Sequence, residues 1–317
     1  MSWYKNKWLI LAALSITWGS SFILIKKSLL YGFSPFQIGS IRVLIAGLGF
    51  LFIGIPVLKK LTKSTIFWMI TIGFLGNFFP MYLFPLAQKN MSSSIASILD
   101  ALVPTFILIL GVWFFKDKVK PTQTFGIFIG FLGTFILTYF TQSFVGIPDL
   151  APTLMVILAT ISYAGSAILI NKKMSHVPSF QLTAGIFTIM IIPSSIVLLS
   201  SGFIEQVRAN EVLWAGFGYL SILSIFGTAL AAFPYYYLIQ KTSAVFASTV
   251  TYTIPLVAVV WGALDGELIN IWYGLGGLLI LLGVYLSREK TDKTPPTTLP
   301  VSEEISSQPP FATVLEN

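Results

Sequence analysis

Long apolar stretches alternate with short polar breaks along almost the whole chain, and ten of them reach the length of a membrane crossing. They fall at residues 8–25, 36–58, 66–86, 92–115 and 122–140, then at 151–170, 180–200, 212–239, 244–264 and 269–286. A helix rises about 1.5 Å per residue, so roughly 20 apolar residues cross a hydrocarbon layer. Pro80, Pro85, Pro104, Pro193, Pro234 and Pro255 fall inside these stretches. Lipid-embedded helices tolerate such prolines when neighbours satisfy the freed carbonyls, and kinks are predicted there. The first stretch follows Lys5 and Lys7, as a signal peptide would, but it runs on to Ile25 without a small-residue exit. It reads as a spanning helix. Beyond Ser287 the pattern stops. The polar segment 288–317, with Pro295-Pro296 and Pro309-Pro310, predicts a disordered tail.

The stretches come in two ordered sets. Trp18-Gly19-Ser20-Ser21-Phe22-Ile23-Leu24-Ile25-Lys26-Lys27 reappears, loosened, as Tyr163-Ala164-Gly165-Ser166-Ala167-Ile168-Leu169-Ile170-Asn171-Lys172. Gln88-Lys89 recurs as Gln240-Lys241, and Ala96-Ser97 before Pro104 recurs as Ala247-Ser248 before Pro255. Asp117, Gly126 and Gly133 recur as Glu267, Gly276 and Gly283. Residues 1–140 and 141–287 are therefore read as two five-helix repeats. An odd number of spans per copy turns the second copy upside down in the bilayer. The expected fold is an all-α polytopic membrane protein of ten transmembrane helices in two inverted repeats, the layout of a secondary transporter.

Charge supports an even number of spans. If both termini are cytoplasmic, the inner segments hold 14 of the 19 lysines and arginines, and the outer loops hold only Lys26, Lys27, Lys89 and Arg208. Asp149, Glu205, Glu211, Asp265 and Glu267 then lie outside, and the paired Asp117 and Glu267 fall on opposite faces. The net charge of +7 sits beside apolar segments and forms no basic face, so nucleic acid is not an expected partner. With 55% hydrophobic and 10% charged residues the chain is no soluble domain, and zero cysteines exclude disulfide and thiol chemistry. No phosphate-cradling loop, H-E-x-x-H or cysteine cluster occurs, and the one histidine, His176, falls in a loop. An enzyme, a cofactor and a resident metal are not expected.

The candidate site is built from few polar groups. Asp100 is the acid in a span interior, where a carboxylate costs about 2.5–3.5 kcal/mol on insertion scales. It is a candidate proton-coupling and substrate-binding group facing a watery cavity; the structural alternative is an acid that fixes helix packing. Ser97, Asp100 and Pro104 share one helical face, and Ser248, Thr251 and Pro255 match them in the second copy, without the acid. Arg42, two turns into the second span, can meet a substrate carboxylate, pair with Asp100, or snorkel to the headgroups. Trp18 and Ser21 offer an aromatic face and a hydroxyl, although small residues beside them also suit helix packing. Asn77, Tyr163 and Tyr252, with Tyr235, Tyr236 and Tyr237, are further candidates for a cavity lining. Gly126-x-x-x-Gly130 and Gly262-x-x-x-Gly266 read as packing.

From residue 8 to 287 the chain resembles the drug/metabolite transporter superfamily, specifically EamA-type transporters. The resemblance is carried by Trp18-Gly19-Ser20-Ser21-Phe22 running into Ile25-Lys26, by Arg42, and by the end of each half: Pro104, Asp117, Gly126 and Gly133, then Pro255, Glu267, Gly276 and Gly283. Lys116-Asp117 stands where many relatives carry glutamate. The resemblance implies a central cavity lined by the first four helices of each half, with the fifth packed at the side. It also implies export or exchange of amino acids, other small metabolites or drugs. The expected function is a secondary carrier working by alternating access, with proton exchange at Asp100 and a small polar or zwitterionic substrate. A lipid flippase and a non-transporting scaffold are the alternatives; short loops weigh against the scaffold. Compact loops favour a bacterial plasma membrane.

Overall fold

The computed structural model describes residues 6–91, 93–141, 150–209, 213–264 and 271–287. The tail 288–317, Asp149, Glu211, Asp265, Gly266 and Glu267 lie outside them. Among the described residues the chain is helical, without strands. Helix α1 spans Lys7–Leu30, α2 Pro35–Lys60, α3 Lys63–Gly73, α4 Phe79–Gln88, α5 Ser93–Asp100, α6 Val103–Phe115 and α7 Pro121–Thr141. Then follow α8 (Leu150–Lys173), α9 (Ser179–Leu199), α10 (Phe203–Ala209), α11 (Leu213–Ser224), α12 (Ala231–Lys241), α13 (Ala244–Ser248), α14 (Val250–Leu264) and α15 (Ile271–Ser287). A π-helical turn, Phe74–Phe78, joins α3 to α4, and another, Ile225–Leu230, joins α11 to α12. Among the described residues six helices are long and apolar enough to cross a membrane: Lys7–Leu30, Pro35–Lys60, Lys63–Gln88, Leu150–Lys173, Ser179–Leu199 and Trp214–Lys241. Shorter apolar helices cover Val103–Phe115, Pro121–Ile136, Ala244–Val257 and Gly274–Ser287.

Three boundaries differ from the sequence expectation. Helix α1 continues five residues past Ile25, so Lys26 and Lys27 sit in its last turns and not in a loop. It stops where Gly32 takes φ 96°, a left-handed conformation open to glycine. The stretches 92–115 and 244–264 are each broken near a proline, giving α5/α6 and α13/α14. The polar connection after α9 carries a short helix of its own, α10. Helix starts follow ordinary capping. Ser34 and Gln37 form a reciprocal capping box, and the Thr62 and Ser243 hydroxyls accept from the Thr65 and Phe246 N–H groups.

Helix α7 runs along α15, and α2 runs along α9. Helix α1 lies against α14, α11 and α12, while α8 lies against α6, α3 and α4. Exchanging each helix for its counterpart in the other half maps this scheme onto itself. Glycines allow the close pairs. A Cβ on Gly133 would sit 2.7 Å from the Ile280 nitrogen, and one on Gly54 would sit 2.7 Å from the Ala184 carbonyl. Gly126 packs against Ser287 and Gly130 against Tyr252, so this glycine pair serves packing. Lys172 pairs with Asp117, Lys173 lies over Trp68, and Lys7 lies over Phe246. These contacts gather Lys7, Lys116, Lys172 and Lys241 at one end, the basic end. There the core is one continuous apolar cluster with residues from both halves, including Leu14, Met69, Met174, Val177, Leu238 and Phe246. At the opposite end it separates into two clusters, one around Ile25, Phe33, Ile38 and Leu220, the other around Phe84, Ala87, Met91 and Val156.

Gly133→Ala should destabilise the protein by about 1–3 kcal/mol in thermal unfolding, because backbone on the facing helix must move. Gly49→Ala, with nothing within 4 Å of the added carbon, should be neutral or slightly stabilising in the same assay.

Candidate functional site

The first π-turn and the break after α5 sit just ahead of a proline, and the second π-turn lies one helical turn before Pro234. A proline has no N–H to give the carbonyl four residues back, and its ring crowds that carbonyl. Pro80 therefore frees the Gly76 carbonyl within the first π-turn. Pro104 frees the Asp100 carbonyl, and Pro255 that of Thr251. Gly76, Asp100 and Thr251 all line one interior cavity. Irregular backbone at membrane depth is tolerated where it borders protein or a cavity rather than lipid.

The cavity is assembled from matching positions of the two halves. Trp18 and its repeat counterpart Tyr163 line it, as do Ser21 and Ser166, Gly76 and Gly227, Asn77 and Thr228, Asp100 and Thr251, and Val103 and Ile254. Contacts repeat as well. A Cβ on Gly227 would meet the Ser21 hydroxyl and one on Gly76 the Ser166 hydroxyl, so the same close crossing occurs twice. Trp18 stands edge-on to Tyr235 at 4.9 Å between ring centres, and Tyr163 tilts against Phe84 at 6.0 Å.

The polar groups differ between the halves. Asp100 is buried at the end of α5, and its Oδ1 has no hydrogen-bond partner among the described residues. Arg42 is also buried, at 6% exposure, and its Nε donates to Thr228 Oγ1 at 3.1 Å. That overturns the snorkelling reading: the guanidinium is held inward by the second π-turn. Among the described residues no salt bridge joins Arg42 to Asp100. Trp18 Nε1 donates to the Gly227 carbonyl at 3.0 Å, which satisfies a carbonyl of the π-turn. Asn77 Nδ2 donates to the Tyr236 hydroxyl at 2.7 Å, tying the first π-turn to α12. Tyr163 lies within electrostatic reach of both Arg42 and Asp100.

Six of the seven sequence-predicted site residues thus face one space: Trp18, Ser21, Arg42, Asn77, Asp100 and Tyr163, with Tyr235 and Tyr236 beside them. Tyr252 does not. It is fully buried, its ring packs on Gly130, and its hydroxyl donates to the Ile127 carbonyl at 3.1 Å. A neighbouring glycine turned the ring away from the cavity, and the intervening residue Thr251 faces it instead. Tyr237 points to a separate groove at the basic end, beside Lys7, Trp8 and Lys241. Sequence reasoning missed Thr228, Ser166 and the glycines at 76 and 227. The repeat contained the signal, since Gly76-Asn77 and Gly227-Thr228 stand at the same offset as Asp100 and Thr251.

Apolar spans enclosing a largely apolar cavity with a few buried polar groups, lined from both halves, point to an integral membrane protein of the transport class. Residues 6–139 and 150–288 each match the EamA-like transporter family, and the chain belongs to that family, within the drug/metabolite transporter superfamily. It is 30% identical to YedA, an uncharacterized inner membrane transporter of Escherichia coli (strain K12), over 94% of this chain and 96% of YedA. It is 29% identical to an uncharacterized transporter of Archaeoglobus fulgidus, over 89% of this chain and 98% of that one. A crystal structure described only as that of a protein shares the fold, with a TM-score of 0.66 at 15% identity, covering 88% of this chain and 95% of the other.

Tyr252→Phe removes the hydroxyl bonded to Ile127 and no cavity atom. It should lower stability by about 1 kcal/mol in thermal unfolding and leave ligand-induced stabilisation unchanged.

Proposed function

We propose that the protein is a secondary carrier of ten spans, folded as two inverted five-helix repeats with both termini in the cytoplasm. It exports small metabolites by alternating access through the shared cavity and is not an enzyme. The observation that carries this reading is a cavity made of equivalent positions from both halves, with the unpartnered Oδ1 of Asp100 inside it. A site on the axis that relates two halves can open to either side as one half rocks against the other. The symmetric contact scheme and the 14-to-4 bias of basic residues support the inverted placement and the cytoplasmic termini. The relatives in bacteria support a bacterial plasma membrane.

The substrate class follows from the lining. Arg42 is a fixed cation suited to a carboxylate, Asp100 an anion suited to an ammonium group, and Trp18, Phe84, Tyr163 and Tyr235 surround an apolar part. An amino acid, an amine or an amphipathic drug-like compound meets these groups. When no substrate cation is present, Asp100 takes a proton, so that substrate and proton exchange at one carboxylate.

The test is thermal stabilisation of the purified protein across an amino-acid, amine and drug panel, on wild type and Asp100→Asn. A ligand at a hundred times its Kd adds about 2.7 kcal/mol, which is several degrees. We expect a ligand that stabilises wild type and loses most of that effect in Asp100→Asn. In proteoliposomes an inward proton gradient should accelerate export of that ligand by wild type and leave Asp100→Asn unchanged. No stabilisation by any compound, together with movement of labelled lipid between leaflets, would replace this reading with a flippase.

A further inference from the structure

Gln88 and Gln240 occupy the same place in the two halves, each in the last turn of a helix (α4 and α12) that ends beside a tight turn. At the basic end that turn is Met174–Val177, which leads from α8 into α9 and is closed by the Val177 N–H donating to the Met174 carbonyl at 3.2 Å. Gln240 Nε2 donates to both carbonyls of this turn, Met174 and Val177, at 2.9 Å each. Both protons of one amide are used, and they fasten α12 to the connection between α8 and α9. Asn171 adds a bond from α8 to the Ile239 carbonyl at 3.2 Å across the same seam.

At the opposite end the counterpart turn is Leu29–Gly32, between α1 and α2, closed in the same way by the Gly32 N–H donating to the Leu29 carbonyl at 3.0 Å. Its own glutamine does not reach it. Gln88 is 7% exposed, its Oε1 accepts from Ser93 Oγ at 3.2 Å, and its Nε2 has no partner among the described residues. The Gly32 carbonyl is taken instead by Gln206 Nε2, from α10, at 2.8 Å. The apolar packing divides along the same line. Met174, Val177, Leu238 and Ile239 belong to one cluster, whereas Phe33 beside the first turn and Ala87 beside Gln88 belong to two separate ones. One end is sealed and latched. The other is parted, with a dry amide that has nothing to donate to, a situation that costs about 1–3 kcal/mol unless another state relieves it.

We propose that Gln88 and Gln240 are alternating latches of the carrier. In the state described here Gln240 holds the basic end closed. In the opposite state Gln88 Nε2 donates to the Leu29 and Gly32 carbonyls, Gln206 gives up the latter, and Gln240 releases Met174 and Val177. This rests on the inverted-repeat carrier reading. It explains why a glutamine stands at both positions although only one of them is satisfied at a time. Neither residue touches the cavity, so both act on the conformational equilibrium rather than on the ligand.

The chain has no cysteine, so distances across each end can be measured by electron–electron double resonance on the full chain in lipid nanodiscs. Spin labels on Leu30→Cys with Lys89→Cys span the Gln88 end, and labels on Ser175→Cys with Lys241→Cys span the Gln240 end. Gln240→Met should move the population roughly ten-fold toward a short 30–89 and a long 175–241 distance, since two net hydrogen bonds are lost from one state only. Gln88→Met should move it in the opposite direction, and the double variant should return toward wild type. Gln88→Met removes an amide nitrogen that has no partner here, so it carries the test even if Gln240→Met folds poorly. Two distances in wild type with no displacement, or displacement in the same direction by both variants, would overturn the latch and leave the carrier reading standing. The same single distance at each end in wild type and both variants would overturn the two together.

Discussion

A proline inside a lipid-embedded helix leaves a carbonyl four residues upstream that no backbone N–H can reach, and lipid has no donor to offer it. The cavity wall is arranged around that constraint. Pro80, Pro104 and Pro255 each have, four residues upstream, a residue that borders the cavity, Gly76, Asp100 and Thr251. Beside a cavity such breaks cost less than against lipid, and these three face it, whereas Pro56 and Pro234 have Phe52 and Leu230, both outward-facing, four residues upstream. Side chains then complete the arrangement: Trp18 reaches the Gly227 carbonyl, and Asn77 reaches Tyr236. The polar interior is thus a consequence of where the backbone cannot satisfy itself.

The frame is two-fold and the chemistry is not. Trp18 faces Tyr163, Asn77 faces Thr228, and Asp100 faces Thr251 across the same cavity, while the repeat position of Arg42 holds the buried Phe187. A cavity framed by matching positions of both halves therefore carries one cation and one carboxylate in fixed places. A ligand bound there keeps one orientation in both states of the proposed cycle. Away from the cavity, the α7–α15 and α2–α9 pairs are close-packed through Gly133, Gly54 and their neighbours, which suits rigid supports on which the remaining helices move.

Much of the fold was legible because membrane helices are written in long apolar runs, and all ten stretches correspond to helical segments. The interruptions were not. A window of about 19 residues averages over a single widened turn, so neither π-turn nor the breaks near Asp100 and Thr249 left a hydropathy trace. Prolines marked their neighbourhood without saying whether a kink, a bulge or a break would follow. Of the candidates that line the cavity, Asp100 and Arg42 were conspicuous as charges in apolar spans, Trp18 and Tyr163 as a repeated aromatic, and Ser21 as a hydroxyl within that repeat. Tyr252 was misplaced because tyrosine suits a cavity wall and a packed core equally, and only Gly130 on a helix 120 residues away decides between them. Thr228 was missed for the converse reason: a lone threonine in a span looks like packing until Arg42 is seen to donate to it. Gln88 and Gln240 were visible as a repeat, but the difference between a satisfied and an orphaned amide exists only in three dimensions.

The central claim is that the two halves lie inverted about one cavity, and the cysteine-free chain allows it to be tested directly. Lys89 and Lys241 are repeat counterparts, both exposed at helix ends. Single cysteines at these two positions, treated in intact cells with a membrane-impermeant maleimide, report the side on which each lies. Inverted halves require that Lys89→Cys reacts from outside, and that Lys241→Cys reacts only after the membrane is permeabilised. Reaction of both from the same side would contradict the inverted arrangement, and with it the alternating cavity and the paired latches.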